Sequence, residues 1–450
     1  MRLSHINSLW LPFGRLLSCD LPVQVLPADP VDAGELAGGA ALDELLDELP
    51  VSFDQHRHVS MGDRAGSWMA LSFRLPHPVP TSSIGRAWRA VVRTHGTLQT
   101  IFLPDDEGPQ LRRVSVGEPS WREHEISPGQ PVHDALREVL DAACSPYKRP
   151  SHRLCVIETA DGPHVVVASD HSHVDLWSLL VLVRDLLAAL EQCLRGEEPQ
   201  LPAVPEFAEH TRELLERPAA PPEVSRRWSE ILDAGGGLMP RFPLPLGEPV
   251  PHPERVEVRD VLGVAELAAY SSVAAEAAVS TLALTVSVMT ETTITTAGAP
   301  LRVVFPVHSR SQERWHDSVG WFITNSVLES ADPDPAACAL AVREAVRLGS
   351  WPLAPVMAPY GGMPEAPGMF AVSWLDLRRL PVRIDAAGLG AHYVSAAIRT
   401  SGVMLWFIVD ETGVHLRCRY PDTVQARQSV GSWLDELVFR MRARARELRS

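Results

Sequence analysis

One stretch constrains this chain more than any other: Val165-Val-Val-Ala-Ser-Asp170-His171-Ser-His173-Val-Asp175-Leu-Trp-Ser178, together with the leucine-rich run after it. Val165 to Ala168 is fully apolar and β-branched, which predicts a buried strand. From Asp175 the period changes. Leu176, Leu179, Leu180, Val183, Leu186, Leu187 and Leu190 recur at three- and four-residue spacing, with Arg184, Asp185 and Glu191 off that stripe, as in an amphipathic helix. Strand and helix are joined by a turn carrying two imidazoles and two carboxylates. That turn lies beside a helix N-terminus, where partial positive charge favours anions. His171 and Asp175 are four apart, the spacing of a base and a carboxylate that fixes its surroundings, and imidazole is the side chain that accepts and returns a proton near neutral pH. The same residues allow two other readings. His171 is then a backbone-bonded residue at a strand end and Asp175 an N-cap, or His171 and His173 share one face of an extended strand and bind a metal. The metal reading needs further ligands at other strand ends, and the sequence holds no second cluster of that kind.

At 450 residues the chain suits two or three domains. Apolar content of 45 % and charged content of 22 % are those of an ordinary globular protein. The net charge of −15 argues against nucleic acid or an anionic membrane as the main partner. Six scattered cysteines form no CxxC pair and fit a reducing cytosol, so a cytoplasmic location is expected. The first twelve residues are broken by His5, Asn7 and Pro12 and do not read as a secretory signal. No run of 18 or more apolar residues predicts a membrane span.

Pattern and punctuation divide the chain into four parts. Residues 1–50 read as an N-terminal extension, of which 20–50, rich in Pro, Ala, Asp and Leu, reads as loosely packed with a short acidic helix at Leu42 to Leu49. Residues 51–196 hold strands at Ser67–Leu75, Leu98–Phe102 and Leu154–Glu158 among helices from Thr81 and from Val132, an α+β order. The Pro-rich Glu197–Pro205 opens a linker region, 197–222. Residues 223–450 form the C-terminal part, with a strand at Arg255–Val261, two Ala-rich helices, and a buried strand Leu301–Pro306 delivering His308 and Arg310 at its end. The arginines Arg440, Arg442, Arg444, Arg446 and Arg449 read as a solvated helix face, the alternative being a phosphate or carrier contact.

Several segments in order carry a family resemblance. Beyond His171-xxx-Asp175, Ser318-Val-Gly-Trp-Phe-Ile-Thr-Asn325 resembles the Gly-x-Phe-x-Asn segment of condensation-domain acyltransferases. Phe370-Ala-Val-Ser-Trp-Leu-Asp-Leu-Arg378 resembles their later aromatic-Leu-Asp motif. Arg310 stands where that family places an arginine. Val51-Ser-Phe-Asp-Gln-His56 and His95-Gly-Thr-Leu-Gln-Thr100 are similar to its opening segments, and Pro240-Arg-Phe-Pro-Leu-Pro-Leu-Gly247 is similar to the polyketide-associated (PapA) branch. The chain departs from the fuller His-His-xxx-Asp-Gly motif at both ends, with Asp170 for the first His and Leu176 for the Gly. Asn325 follows Phe322 by one residue more than the family pattern.

The resemblance implies two chloramphenicol-acetyltransferase-like lobes forming a V, with the active site in a tunnel at their junction. It implies transfer of an acyl group from a CoA or carrier-protein thioester to an acceptor hydroxyl, with no permanently bound cofactor or metal and with an acyl carrier protein as a further partner. His171 would be the base. Asp175 and Arg310 would pair structurally. Candidate site-lining residues are Asp170, His173, Trp177, Ser178, His308, Gly320, Trp321, Asn325, Ser373 and Asp376. The helix after Trp177 offers N–H groups to an oxyanion. The alternatives are a catalytically silent condensation-like module that docks a carrier protein or partner enzyme, and an amide-forming condensation enzyme.

Overall fold

The computed structural model describes residues 1–25 and 49–447. The acidic helix expected at Leu42 to Leu49 lies outside the described residues except for Leu49, which is buried and bridges Leu111. The chain divides into two compact units. The first comprises Met1–Glu216, Arg310–Phe322 and Pro381–Ala397; the second comprises Arg217–Ser309, Ile323–Leu380 and Ile398–Ser450. This differs from the expected boundaries. Two segments of the C-terminal half return to the first unit, and the Pro-rich stretch from Glu197 belongs to it, with the Pro205 carbonyl accepting a bond from Ser318 Oγ at 2.7 Å.

The first unit is built on a seven-stranded sheet. In spatial order its strands are Arg2–His5, His392–Ser395, Trp68–Arg74, His164–Asp170, His152–Glu158, Arg15–Asp20 and Ser120–His124. The strand that ends at Asp170 is central and buried along its whole length, as a continuous apolar run requires when both sheet faces are covered. Ala70, Cys155, Ile157, Val166 and Ala168 pack on one face against the helix Val132–Ala143. Val165 and Val167, of opposite parity, face the other side. There the helix Leu176–Leu194 lies on the strands Trp68–Arg74 and His164–Asp170 and against the helix Thr81–Thr94. Each fully buried Leu or Val contributes about 1.5–3 kcal/mol, so this layer anchors the turn between strand and helix firmly.

Three local expectations are corrected. Residues 1–50 are not wholly an extension: Arg15–Asp20 pairs with strands on both sides and buries Leu16, Leu17 and Cys19, while most of the stretch expected to be loosely packed lies outside the described residues. The segment at Leu98 begins as a 3-10 turn, Gly96–Gln99, and becomes a strand only at Thr100–Leu103. Asp185 is not on a solvated helix face: it is buried and accepts bonds from His95 Nε2 at 2.9 Å and Arg184 Nε at 2.8 Å.

The second unit holds another seven-stranded sheet, in the order Ile323–Ser330, Leu301–His308, Phe370–Asp376, Val403–Asp410, Gly413–Pro421, His252–Gly263 and Arg399–Thr400. Its C-terminal helix, Val424–Arg446, buries Val430, Trp433, Leu434, Leu437 and Met441 at helical spacing. Three of the basic residues of that helix have partners. Arg440 and Arg444 pair with Glu291, and Arg442 donates to the Asp260 and Val261 carbonyls. They serve packing, and the phosphate-contact reading lapses for these three. No single helix among the described residues is long and apolar enough to cross a membrane; one bent pair, Val264–Glu276 with Thr281–Ala297, passes on length and composition together.

Candidate active site

The central strand stops at Asp170 because Asp170 itself makes the turn. Its Oδ1 accepts the Ser172 N–H at 2.9 Å, an Asx-turn, and also the Ser172 hydroxyl. The His173 N–H closes on the Asp170 carbonyl at 3.1 Å, and the His171 N–H donates to the Ser67 carbonyl at 3.0 Å. The turn therefore puts His171 and His173 in different surroundings.

His171 is half-buried. Its Nδ1–H donates to the Val174 carbonyl at 2.8 Å, which fixes the neutral tautomer and leaves the Nε2 lone pair as the ring's acceptor. The ring stacks on Trp321, with centroids 4.0 Å apart and planes 17° off parallel, so one π-face is covered. Burial pushes the His171 value below that of an ordinary imidazole, while Asp170 raises it. His173 instead points inward, with its Nδ1 bonded to the hydroxyls of Ser151 and Ser172 and its ring edge-on to Phe102. Burial pushes it down to about 4. The strand face that a two-imidazole metal site requires is not formed, because these residues lie in a turn.

Asp175 caps the helix Leu176–Leu194 by accepting the Ser178 N–H at 2.7 Å. Its other oxygen accepts Arg310 at 2.5 Å and the Phe322 N–H at 3.1 Å. Both charged groups are about 1 % exposed. Burial works against the Asp175 carboxylate, but Arg310 and the Ser178 bonds outweigh it and hold its pKa below the usual range. Arg310 also donates to Ser178 Oγ at 2.8 Å and the Ser318 carbonyl at 3.2 Å, and its guanidinium lies 4.0 Å from the Phe322 ring centroid. Asp175 and Arg310 lie in the same unit, not in two lobes, because Arg310–Phe322 returns to the first sheet. With both Asp175 oxygens engaged in this way, it is the Val174 carbonyl that orients the His171 imidazole. The Ser178 N–H, one of the candidate oxyanion donors, is taken by the Asp175 cap.

The segment Ser318–Phe322 wraps the pair. Ser178 Oγ donates to the Gly320 carbonyl at 3.0 Å, and Trp177 Nε1–H donates to the His316 carbonyl at 2.9 Å. A Cβ on Gly320 would stand 2.3 Å from the Phe207 ring. Gly320→Ala is expected to cost about 1–3 kcal/mol in a urea titration, since ring and backbone must separate. A cost near zero would show that Phe207 moves freely.

Of the other candidates, Asp170, His173, Trp177, Ser178, Gly320 and Trp321 gather around this turn. His308, Asn325, Ser373 and Asp376 belong to the second unit. There His308 ends a strand that pairs Pro306 with Asn325, Ser373 pairs with Trp406, and Asp376 binds Arg378 at 2.9 Å.

The sequence reading missed His58. It lies on the short helix Phe53–Val59, whose Gln55 donates to the Ser172 carbonyl at 2.9 Å. His58 Nε2 is 3.2 Å from Asp170 Oδ1, and Arg64 donates to His58 Nδ1 at 2.8 Å. The only signal in the sequence is that Gln55 and His58 are three apart and so share a helix face.

A central buried strand, a turn that holds a half-buried imidazole, and a buried carboxylate–guanidinium pair therefore lie together in one unit. A model of the condensation domain matches residues 46–337, and the chain belongs to that family. It is similar to the acyltransferase PapA3 of Mycobacterium tuberculosis, 23 % identical over 427 residues that cover 87 % of this chain and 88 % of the relative. It is 29 % identical over 220 residues to a linear gramicidin synthase of Brevibacillus parabrevis; the match covers 45 % of this chain but only 3 % of that synthase. The solved structure of the PapA2 acyl transferase has the same fold, with a TM-score of 0.83 at 18 % identity over 99 % of this chain and 100 % of that one.

Proposed function

We propose that this chain is an acyltransferase that moves an acyl group from a CoA or carrier-protein thioester to an acceptor hydroxyl, with His171 as the general base. The observation that carries the reading is the His171 Nδ1–Val174 carbonyl bond, which leaves a neutral, half-buried imidazole with its Nε2 lone pair as the acceptor. The acceptor hydroxyl gives its proton to Nε2 as its oxygen attacks the thioester carbonyl. The tetrahedral intermediate then collapses, the C–S bond breaks, and the departing thiolate recovers the proton from His171. A thioester is already activated, so positioning and proton removal are most of what the protein must supply. Asp175 and Arg310 neutralise each other, which suits them to holding the turn and not to acid–base work. The similarity to the acyltransferase PapA3, over most of both chains, supports acyl transfer.

Asp170 and Leu176, at the two motif positions where the family pattern has His and Gly, favour a second reading: a condensation-like module that binds a carrier protein without turnover. Incubation with a panel of acyl-CoA donors and sugar, polyketide and amine acceptors separates the two. The acyltransferase releases free thiol and yields an ester by mass. Intact thioesters across the panel, together with carrier binding, would support the silent module.

A further inference from the structure

An acyltransferase working through His171 faces a question of charge. When His171 takes a proton it becomes a cation in a half-buried place, and a carboxylate should answer it. Asp175 does not fit that role, because Arg310 neutralises it at 2.5 Å and the Ser178 and Phe322 N–H groups occupy its oxygens. The other carboxylate at the turn is Asp170, which is fully buried. It is met by the Ser172 N–H and hydroxyl and by His58. The state of His58 is set by its neighbours. Arg64 has only N–H groups to offer, so His58 Nδ1 must accept, and the ring proton sits on Nε2, facing Asp170. His58 is thus a neutral donor, and Asp170 keeps its negative charge, with Arg64 one ring further away.

The same imidazole reaches the site from a second side. The His58 ring stands edge-on to Trp321 at 5.2 Å and to His171 at 6.2 Å, centroid to centroid, and Trp321 stacks on His171. Asp170, His58, Trp321 and His171 therefore form one closed group, with Arg64 behind it.

We infer that Asp170 and His58 are a positioning pair for His171: Asp170 builds the turn and supplies the negative charge that answers the imidazolium, and His58 holds Asp170 and Trp321 in register. The inference rests on His171 being the base. It accounts for the motif departure, since the chain has an acid where the family pattern has an imidazole and brings an imidazole to that acid from another helix.

Asp170→Asn is the informative variant. An amide oxygen can keep the bonds from Ser172 and His58, so the geometry survives while the charge goes. The groups that set the His171 titration are then Arg64, His58 and the neutralised Asp175–Arg310 pair, and the balance tips against the imidazolium. The readout is the His171 ring resonance in histidine-labelled protein, assigned by its loss in His171→Ala and followed with pH. The expected result is a fall in the His171 pKa of about half a unit or more, with the acid limb of kcat/KM moving down by the same amount and kcat falling about tenfold at little change in KM. His58→Gln, which keeps an N–H donor, should retain more activity than His58→Phe. An unmoved His171 resonance in Asp170→Asn, in folded protein, would overturn the inference. A moved resonance with undiminished turnover in His171→Ala would instead leave the pairing intact and remove the base assignment.

Discussion

Replacing Arg310 by Met is expected to destabilise the protein by about 3–5 kcal/mol, because it strands the Asp175 carboxylate in a site with almost no solvent contact. Asp175→Asn should cost a similar amount from the other side. Asparagine can still cap the helix through its oxygen, so the loss would report the uncompensated guanidinium and not a missing cap. The double replacement should cost less than the sum, with a coupling of roughly 1–3 kcal/mol. The arginine also bonds Ser178 and the Ser318 carbonyl, so some of its loss is not shared with Asp175, and the coupling should fall short of either single cost. Urea titrations of the four proteins measure this. Additive singles of under about 1 kcal/mol each would mean that water reaches the pair.

His171→Ala is expected to lower turnover by ~10²–10⁴-fold with little change in stability. The ring is half-buried, makes one backbone bond and stacks on Trp321. His173→Ala should behave in the opposite way. His173 is buried, satisfies the Ser151 and Ser172 hydroxyls and packs on Phe102. Its removal should cost stability on the order of 2 kcal/mol while folded molecules keep most of their activity. Equal losses of turnover in the two variants, each corrected for folded fraction, would take the base role away from His171.

What the sequence made legible was local. The run Val165 to Ala168 and the leucine repeat after Asp175 set strand, turn and helix, because period and β-branching are properties of neighbouring residues. Asp175 as an N-cap was legible for the same reason. The Asp175–Arg310 pair spans 135 positions, so spacing does not reveal it; only the family resemblance brought the two together. His58 was not legible, since the contact with Asp170 exists only once a seven-residue helix has docked beside the turn. The polar reading of Asp185 failed because the helix is buried on more sides than its leucine stripe suggests, and His95 supplies the partner that a buried acid needs. The expected boundary near residue 197 failed for a related reason. Proline-rich stretches report local irregularity, whereas membership of a unit is decided by where Arg310–Phe322 and Pro381–Ala397 pack.

The pH dependence of kcat/KM tests the central claim most directly, because it reports the ionisation of the free protein's essential base. A base works in its neutral form, and burial holds the His171 value below the ordinary 6.5. Activity should therefore persist as pH falls through 6.5 and drop only at a lower value, along a single-proton limb that coincides with the directly measured His171 titration. In His171→Ala the residual rate should lack that limb. A limb at or above 6.5, or the same limb in the alanine variant, would contradict His171 as the proton acceptor.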